Sequence, residues 1–294
     1  MKLTIISLMN QYGFFDNSYV LAEKGYTGSD RLSLLQFIVM GLFFVLIIFT
    51  SLFLRKTDKK NIFTIYKVLA IAMPILEIIK ISFSTHADLT HGQPFNLGGI
   101  LPLYSCSMLL YFLPFVAWGR GKLQKYSMAF FTSVGLVAGL SNFVYLSAAG
   151  WYPLFTFGCL YSIIFHGVLV FVGISLMICE LYTPSFKTIY EGMIPVLIFS
   201  AFVIPANFII KAIPNNGSNP DYMMLMDANG FIPAISDFFI NNNAQWLFSL
   251  LMLFVAYPIA NALIVLIDMG IIKLVKMIVG DKGDSPNQEQ VVVE

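Results

Sequence analysis

The chain has 294 residues, of which 58% are hydrophobic, 15% aromatic and only 11% charged. Ordinary soluble domains carry about 25% charged residues, so this composition excludes an ordinary soluble globular protein. The formal net charge is +1, and the basic residues form short groups beside apolar runs, so nothing indicates a nucleic-acid partner. There is room for one helix bundle and for no additional soluble domain.

Apolar runs divided by short polar or basic segments follow one another along the chain. The clearest of them, Leu32–Leu54, contains no ionisable side chain. Because a helix rises about 1.5 Å per residue, about 20 such residues cross the hydrocarbon core of a bilayer. We therefore predict an all-α fold, a polytopic transmembrane helix bundle with about seven spans. These lie near residues 32–54, 62–84, 100–118, 126–147, 154–178, 189–211 and 244–273.

Basic residues are concentrated in alternate connecting segments. Arg55, Lys56, Lys59 and Lys60 follow the first span, and Arg120, Lys122 and Lys125 follow the third. The positive-inside rule makes these segments cytoplasmic, which puts the amino terminus outside and the carboxyl terminus in the cytoplasm. The prediction is a multi-pass protein of the cell membrane, with an extracellular amino-terminal segment (1–31), one transmembrane bundle (32–279) and a cytoplasmic tail (280–294).

A few polar residues lie inside the predicted spans, where an ionisable side chain costs several kcal/mol, so each is a functional candidate. Glu77 and Lys80 are three residues apart and share a helix face. They form either a structural ion pair or part of a polar cavity. His166, the one histidine within a span, is either a structural hydrogen-bonded residue or a catalytic one. Gly135-x-x-x-Gly139 predicts a close helix contact.

Three cysteines, Cys106, Cys159 and Cys179, give neither a disulfide framework nor a zinc-ligand pattern. Cys106 follows Pro102, which favours a nearby helix start whose amide donors would stabilise a thiolate. The other two cysteines are typical of packing residues. The segment His86-x-Asp88-x-x-His91 lacks a third strong ligand and favours a solvated loop over a metal site, so no metal and no cofactor is predicted.

Cys106 and His166 would differ in depth by about 9 Å if their two helices began level with each other, because each residue adds about 1.5 Å. They come together only if the third span begins deeper in the membrane, as a short or tilted helix. The proline- and glycine-rich approach, residues 94–102, permits such a start.

Two motifs resemble a known family. Leu101-Pro102-Leu103-Tyr104-Ser105-Cys106-Ser107 opens one span, Phe165-His166-Gly167 lies within a later one, and together they resemble the YwaF-type bacterial integral membrane family. That family is related to an animal acyltransferase that remodels ether phospholipids through a cysteine. It is related more distantly to androgen-induced-gene type lipid hydrolases. Pro205-Ala206-Asn207 and residues 219–225 extend the similarity over about residues 60–275, whereas Tyr104 stands where bacterial relatives often have histidine.

The resemblance implies that Cys106 is an acyl-accepting nucleophile and that His166 is its base. The expected function is a lipid-processing membrane enzyme that transfers an acyl group through a cysteine acyl-enzyme onto a lipid hydroxyl, with membrane phospholipids or acyl lipids as its partners. The remaining polar candidates are expected to contact substrate: Glu77, Lys80, Tyr104, Ser107, Asn142, Tyr145, Asn207 and Tyr222.

Two other functions fit the same residues. One is a small-molecule transporter or membrane sensor that uses Glu77 and Lys80 without covalent chemistry. The other is a lipid ester hydrolase, in which water and not a lipid accepts the acyl group from Cys106.

Overall fold

A computed structural model of the protein describes residues 12–26, 34–145, 152–213, 222–225, 237–239, 241–242 and 244–279. Within these ranges the chain is helical and contains no β-strand. The helices are α1 (Ser18–Glu23), α2 (Leu34–Leu54), α3 (Lys59–Thr90), α4 (Leu97–Ile100), α5 (Met108–Trp118), α6 (Gly121–Phe131), α7 (Val134–Tyr145), α8 (Phe157–Ile178), α9 (Phe186–Glu191), α10 (Met193–Ala212), α11 (Gln245–Leu251) and α12 (Tyr257–Val279). A 3₁₀ turn forms at Tyr222–Met224, and a π-helical segment, Met252–Ala256, joins α11 to α12.

Several helical stretches are long and apolar enough to cross a membrane, which confirms the prediction of a multi-pass helical membrane protein. In the described part of the chain there are five: Phe37–Leu54, Lys59–Thr90, Phe157–Ile178, Phe186–Ala212 and Gln245–Lys273. They account for the first, second, fifth, sixth and seventh predicted spans. The total of about seven spans, the side on which each terminus lies and the specific membrane stay predictions.

The third and fourth predicted spans have a different form from the others. The third is the short apolar helix α5, which begins at Met108 and not near Pro102. The fourth is divided into α6 and α7 by Thr132 and Ser133. Both hydroxyls donate back to carbonyls of the preceding turn, at 3.1 Å from Thr132 to Met128 and 2.6 Å from Ser133 to Ala129. Such side-chain bonds satisfy polar groups locally and allow a helix to break.

Helix α8 lies at the centre of the bundle. Its most apolar stretch is 61% buried, against 22% for the apolar stretches of α2 and of Gln245–Lys273. It packs against α2, α3, α6 and α7. A helix that is apolar all round is expected to be surrounded by other helices, whereas α2 and α12 leave large apolar side chains for lipid. Side chains on α8 are therefore held in place by neighbouring helices.

Helices α3 and α8 form an antiparallel pair. The Tyr66 and Ser175 hydroxyls are hydrogen-bonded at 2.8 Å, and the rings of Phe83 and Phe157 are 5.4 Å apart further along the same pair. The stretch of α3 from Tyr66 to Phe83 therefore lies alongside the stretch of α8 from Phe157 to Ser175, and the two run in opposite directions. This register fixes which side chains of the two helices face each other.

Ion pairs join the basic connecting segments at one end of the bundle. Arg55 pairs with Glu180 at 2.9 Å, and Lys125 pairs with the buried Glu191 at 2.7 Å. We call this the basic end. The opposite end, where α3 finishes beside His91, is called the His91 end.

Gly139 on α7 provides a test of how closely the bundle is packed. A Cβ atom at this position would lie 2.7 Å from Cγ2 of Val170 and 3.1 Å from the carbonyl oxygen of His166, both on α8. We expect Gly139→Ala to lower the free energy of unfolding by about 1–3 kcal/mol, the usual cost of overpacking. Thermal or denaturant unfolding in detergent micelles measures the change.

The matched control is Gly270→Ala on α12, where a Cβ atom meets no other atom within 4 Å. Replacing this glycine removes unfolded-state entropy at no steric cost, so stability should stay the same or rise by up to about 1 kcal/mol. Equal stability of the two variants would contradict the close α7–α8 contact.

Candidate active site

A cavity of about 200 Å³ lies in the half of the bundle toward the His91 end. It is bordered by α3, by the start of α8 with the segment before it, and by the turn that leads into α5. Its polar lining residues are Glu77, Lys80, Ser84, Cys106, Ser107, Ser162 and His166, and its aromatic ones are Phe83, Tyr104, Tyr152, Phe157, Tyr161 and Phe165, with Gly158 completing the wall.

Cys106 lies in the turn that precedes α5 and not within the first turn of a helix. Its carbonyl accepts a hydrogen bond from the amide of Leu109 at 3.2 Å, and the amide of Ser107 donates to the carbonyl of Tyr104 at 2.9 Å. The backbone N–H of Cys106 and the hydroxyl of Ser107 belong to the same turn, and both residues line the cavity. These are two donors of the kind that stabilise a negative charge on sulfur or on an attacked carbonyl oxygen.

His166 is buried on the central helix, where the shorter of two contacts of its Nδ1 with Ser162 decides which ring nitrogen is basic; the longer one, to the Ser162 hydroxyl, is 3.5 Å. Its Nδ1 lies 2.8 Å from the carbonyl oxygen of Ser162, one turn earlier. A carbonyl can only accept, so Nδ1 carries the proton and the lone pair is on Nε2. The imidazole is therefore held as the tautomer that a general base requires.

The structure brings Cys106 and His166 to one cavity. The short α5 makes this possible, because the chain reaches Cys106 before the regular helix begins. Within the described part of the chain no hydrogen bond joins the thiol to the imidazole. Proton transfer between them would require a bridging water or a closer approach of the two side chains.

Glu77, Lys80 and Tyr161 form a hydrogen-bonded cluster beside these two residues. Lys80 Nζ donates to Glu77 Oε1 at 3.1 Å, and the Tyr161 hydroxyl donates to Glu77 Oε2. Glu77 is only 4% exposed. Both of its carboxylate oxygens accept hydrogen bonds from protein donors. Lys80 Nζ is also 5.8 Å from the centroid of the Tyr161 ring, a cation–π contact. The predicted Glu77–Lys80 ion pair is present, and it borders the predicted cavity.

The amino-terminal segment packs beside the cavity, which the sequence did not indicate. The ring of Phe15 lies 6.1 Å from that of Phe83 and 6.0 Å from that of Phe157, and both of these line the cavity. The carbonyl of Phe14 accepts a hydrogen bond from the amide of Phe157 at 2.7 Å. The wall of the cavity at the His91 end is thus supported by a segment far from it in sequence.

Asn207 and Tyr222 lie outside the cavity lining and are fully buried. The Asn207 side chain accepts from the Tyr222 amide at 3.0 Å and donates to the Tyr222 carbonyl at 3.2 Å. The Tyr222 hydroxyl donates to the carbonyl of Gly98 at 2.5 Å. These bonds anchor the 3₁₀ turn to α10 and to the approach to Cys106, so in this structure both residues have a supporting position. Their predicted contact with substrate remains untested.

Only some of the other predicted site residues line the cavity. Tyr104 and Ser107 line the cavity, and Tyr104 also packs edge-to-face against Tyr222 at 5.1 Å. Asn142 is buried on α7 and does not line it. The side chain of Tyr145 lies outside the described residues.

Sequence reasoning missed Tyr161 and Ser162, which bond to Glu77 and His166 respectively. The sequence could have indicated the contact of Ser162, since it precedes His166 by one helical turn and such spacing allows the two to contact. It could not have indicated the contact of Tyr161, because the partner of Tyr161 is on a different helix.

The fold and the site define a class: a polytopic helical membrane protein with a cysteine and a histidine at one partly polar cavity within its bundle. A sequence model of the TMEM164 family matches residues 26–267, and the chain belongs to that family. No curated protein and no solved structure matches the chain.

The three cysteines should differ in their reactivity. Cys106 is partly exposed at the cavity, whereas Cys159 and Cys179 are buried at 0% and 7% exposure. We expect a small water-soluble maleimide to modify Cys106 at least about tenfold faster than the other two, because access governs thiol reactivity. Peptide mass spectrometry over a time course measures the three rates.

Phe15→Ala should raise the Cys106 rate further by removing a ring that packs on Phe83 and Phe157. Phe186→Ala, which removes an exposed phenylalanine at the basic end, is the control and should leave the rate unchanged. Faster modification of Cys159 or Cys179 than of Cys106 would contradict the location of the cavity.

Proposed function

We propose that this protein is an integral membrane enzyme that transfers acyl groups between lipids through Cys106. The observation that carries the proposal is that Cys106 and a His166 held in the basic-Nε2 tautomer border the same cavity inside an otherwise apolar bundle. A thiol, a base and nearby amide and hydroxyl donors are the parts that acyl transfer requires. Apolar acyl chains suit an enzyme whose surroundings are lipid.

In the first half-reaction the proton of the Cys106 thiol passes to Nε2 of His166. The sulfur attacks the carbonyl carbon of the donor ester, and the carbonyl electron pair moves onto oxygen, where the Cys106 amide and the Ser107 hydroxyl stabilise it. The intermediate then collapses and the ester C–O bond breaks. The departing alkoxide takes the proton from the imidazolium, which leaves an acyl thioester on Cys106.

The second half-reaction reverses these roles. A hydroxyl of the acceptor lipid gives its proton to Nε2 of His166 and attacks the thioester carbonyl. The C–S bond breaks, the new ester leaves, and the thiolate recovers the proton from the imidazolium. If water takes the place of the acceptor hydroxyl, the same residues perform hydrolysis, so the choice between transferase and hydrolase depends on which acceptor reaches the thioester.

Glu77 and Lys80 favour a second candidate, a ligand-binding transporter or sensor without covalent chemistry. Their ion pair lines the same cavity, and charged groups inside membrane bundles commonly mark ligand pathways. Glu77 accepts hydrogen bonds from two protein donors, which leaves it little freedom to exchange partners. This argues against a transport pathway for charged solutes. Ligand binding or solute flux that depends on Glu77 and is indifferent to Cys106→Ala would favour this candidate.

Acylation of Cys106 is the decisive measurement. We expect the purified protein, incubated with an activated acyl ester in micelles, to gain one acyl mass that hydroxylamine removes, as it does for thioesters. Cys106→Ala should abolish the added mass. His166→Asn, which keeps a donor near Ser162 but lacks the basic nitrogen, should slow the acylation by about 10²–10⁴-fold, the usual contribution of a general base.

Cys159→Ala is the matched control, because Cys159 is fully buried away from the cavity lining. It should acylate at the unaltered rate. An acyl label that persists in Cys106→Ala, or full transfer of acyl groups to a lipid hydroxyl by that variant, would overturn the proposal.

A further inference from the structure

We propose that Lys80, held in place by Glu77 and Tyr161, binds the phosphate of the lipid substrate while the ester to be cleaved lies deeper, toward His166. This inference rests on the proposed function for its substrate and adds a residue that selects lipids by their head group. Four observations support it: the hydrogen bonding of the cluster, the donors that remain on Lys80, the sign of the local field and the relative depth of Lys80 and His166.

The cluster holds Lys80 in a defined position. Glu77 is buried on the same helix face, at hydrogen-bonding distance from Lys80, and the Tyr161 hydroxyl bonds to the second oxygen of Glu77. Glu77 therefore aligns Lys80 and is itself committed to protein donors. The Lys80 side chain stays 33% exposed and lines the cavity, so the ammonium is held by its neighbour without being enclosed by it.

An ammonium carries three N–H donors, and Lys80 gives one of them to Glu77. The described residues offer no second oxygen acceptor to Lys80, so two donors remain for a ligand. Lys80 is also the one lysine or arginine among the described residues that line the cavity. A group that accepts several hydrogen bonds from one cation, such as a phosphate, matches this arrangement.

The field at this position favours an anion even though Glu77 balances the charge of Lys80. A ligand oxygen in contact with Nζ lies closer to the positive charge than to the Glu77 carboxylate, whose oxygens already accept from Lys80 and Tyr161. Inside a bundle, where the effective dielectric constant is low, this difference in distance gives a net attraction.

The depths of the groups decide which part of the lipid each one meets. Tyr161, whose ring lies 5.8 Å from Lys80 Nζ, precedes His166 by five residues on α8, a backbone rise of about 7.5 Å. Lys80 therefore lies closer to the His91 end than His166 does. In a glycerophospholipid the ester carbonyls lie deeper in the bilayer than the phosphate does. A lipid that enters from the His91 end therefore presents its phosphate to Lys80 and its ester to the region of His166 and Cys106.

The test compares two lipids that differ only in the phosphate-bearing head group. Phosphatidylglycerol and diacylglycerol with identical chains are titrated against the full-length protein in a nonionic detergent, and apparent Kd values are read from native mass spectra. We expect the protein to bind phosphatidylglycerol at least about tenfold more tightly than diacylglycerol. Inorganic phosphate should fail to compete at the same concentrations, and equal binding of free phosphate would show an anion site unrelated to lipid and overturn the inference.

The main variant is Glu77→Gln with Lys80→Met, which removes both charges and leaves no unpaired buried carboxylate. It should bind the two lipids equally, whereas Lys80→Arg should keep most of the preference. Lys211→Met, which removes an exposed lysine in the last turn of α10, should leave the ratio unchanged. Size-exclusion elution and helical circular dichroism report folding, and Lys80→Gln alone gives the same comparison if the double variant does not fold.

A preference that survives in the double variant, or is absent from the unaltered protein, overturns the inference. Cys106→Ala separates this failure from failure of the acyl-transfer proposal, since binding does not require the thiol and the preference should persist in that variant. If Cys106 never acylates but the preference depends on Lys80, the enzyme proposal falls and the phosphate site stands. If Cys106 acylates but the two lipids bind equally, the phosphate site is overturned and the enzyme proposal stands.

Discussion

The antiparallel contact between α3 and α8 is the interaction on which the rest of the structure depends. Polar groups inside a bilayer have no water to bond with, so each must find a partner within the protein. Tyr66 meets Ser175 and Glu77 meets Tyr161, which fixes both the rotation and the register of the two helices. That register is also what places Lys80 beside the same cavity as His166.

The cavity combines two kinds of support. His166 is on the most buried of the five long apolar stretches in the described part of the chain, and its ring orientation is set by the carbonyl one turn away. Cys106 is in a turn before a short helix, and both Cys106 and the neighbouring Ser107 line the cavity. For the proposed chemistry, this arrangement would hold the histidine on a regular helix and the cysteine in a turn, where its orientation is less constrained by helix geometry.

Some buried polar residues of this protein border the cavity and others only support the fold, and composition does not separate the two groups. Glu77 and Lys80 line the cavity, whereas Asn207 bonds to both backbone groups of Tyr222 away from the cavity lining. Each would be expensive to place in hydrocarbon without a partner, so each looks equally significant in the sequence. The distinction lies in whether the bonded residue also borders a space that a ligand can occupy.

The amino-acid sequence by itself determined the helical membrane fold, the approximate position of most long apolar helices and the shared helix face of Glu77 and Lys80. These follow from local quantities: the length of an apolar run and the three-residue spacing on one helix face. Only the tertiary structure decided the break between α6 and α7, the late start of α5, the bond from Tyr161 to Glu77 and the packing of Phe15 beside the cavity. These depend on which helices become neighbours and at what depth, and that is set by packing between segments far apart in the chain.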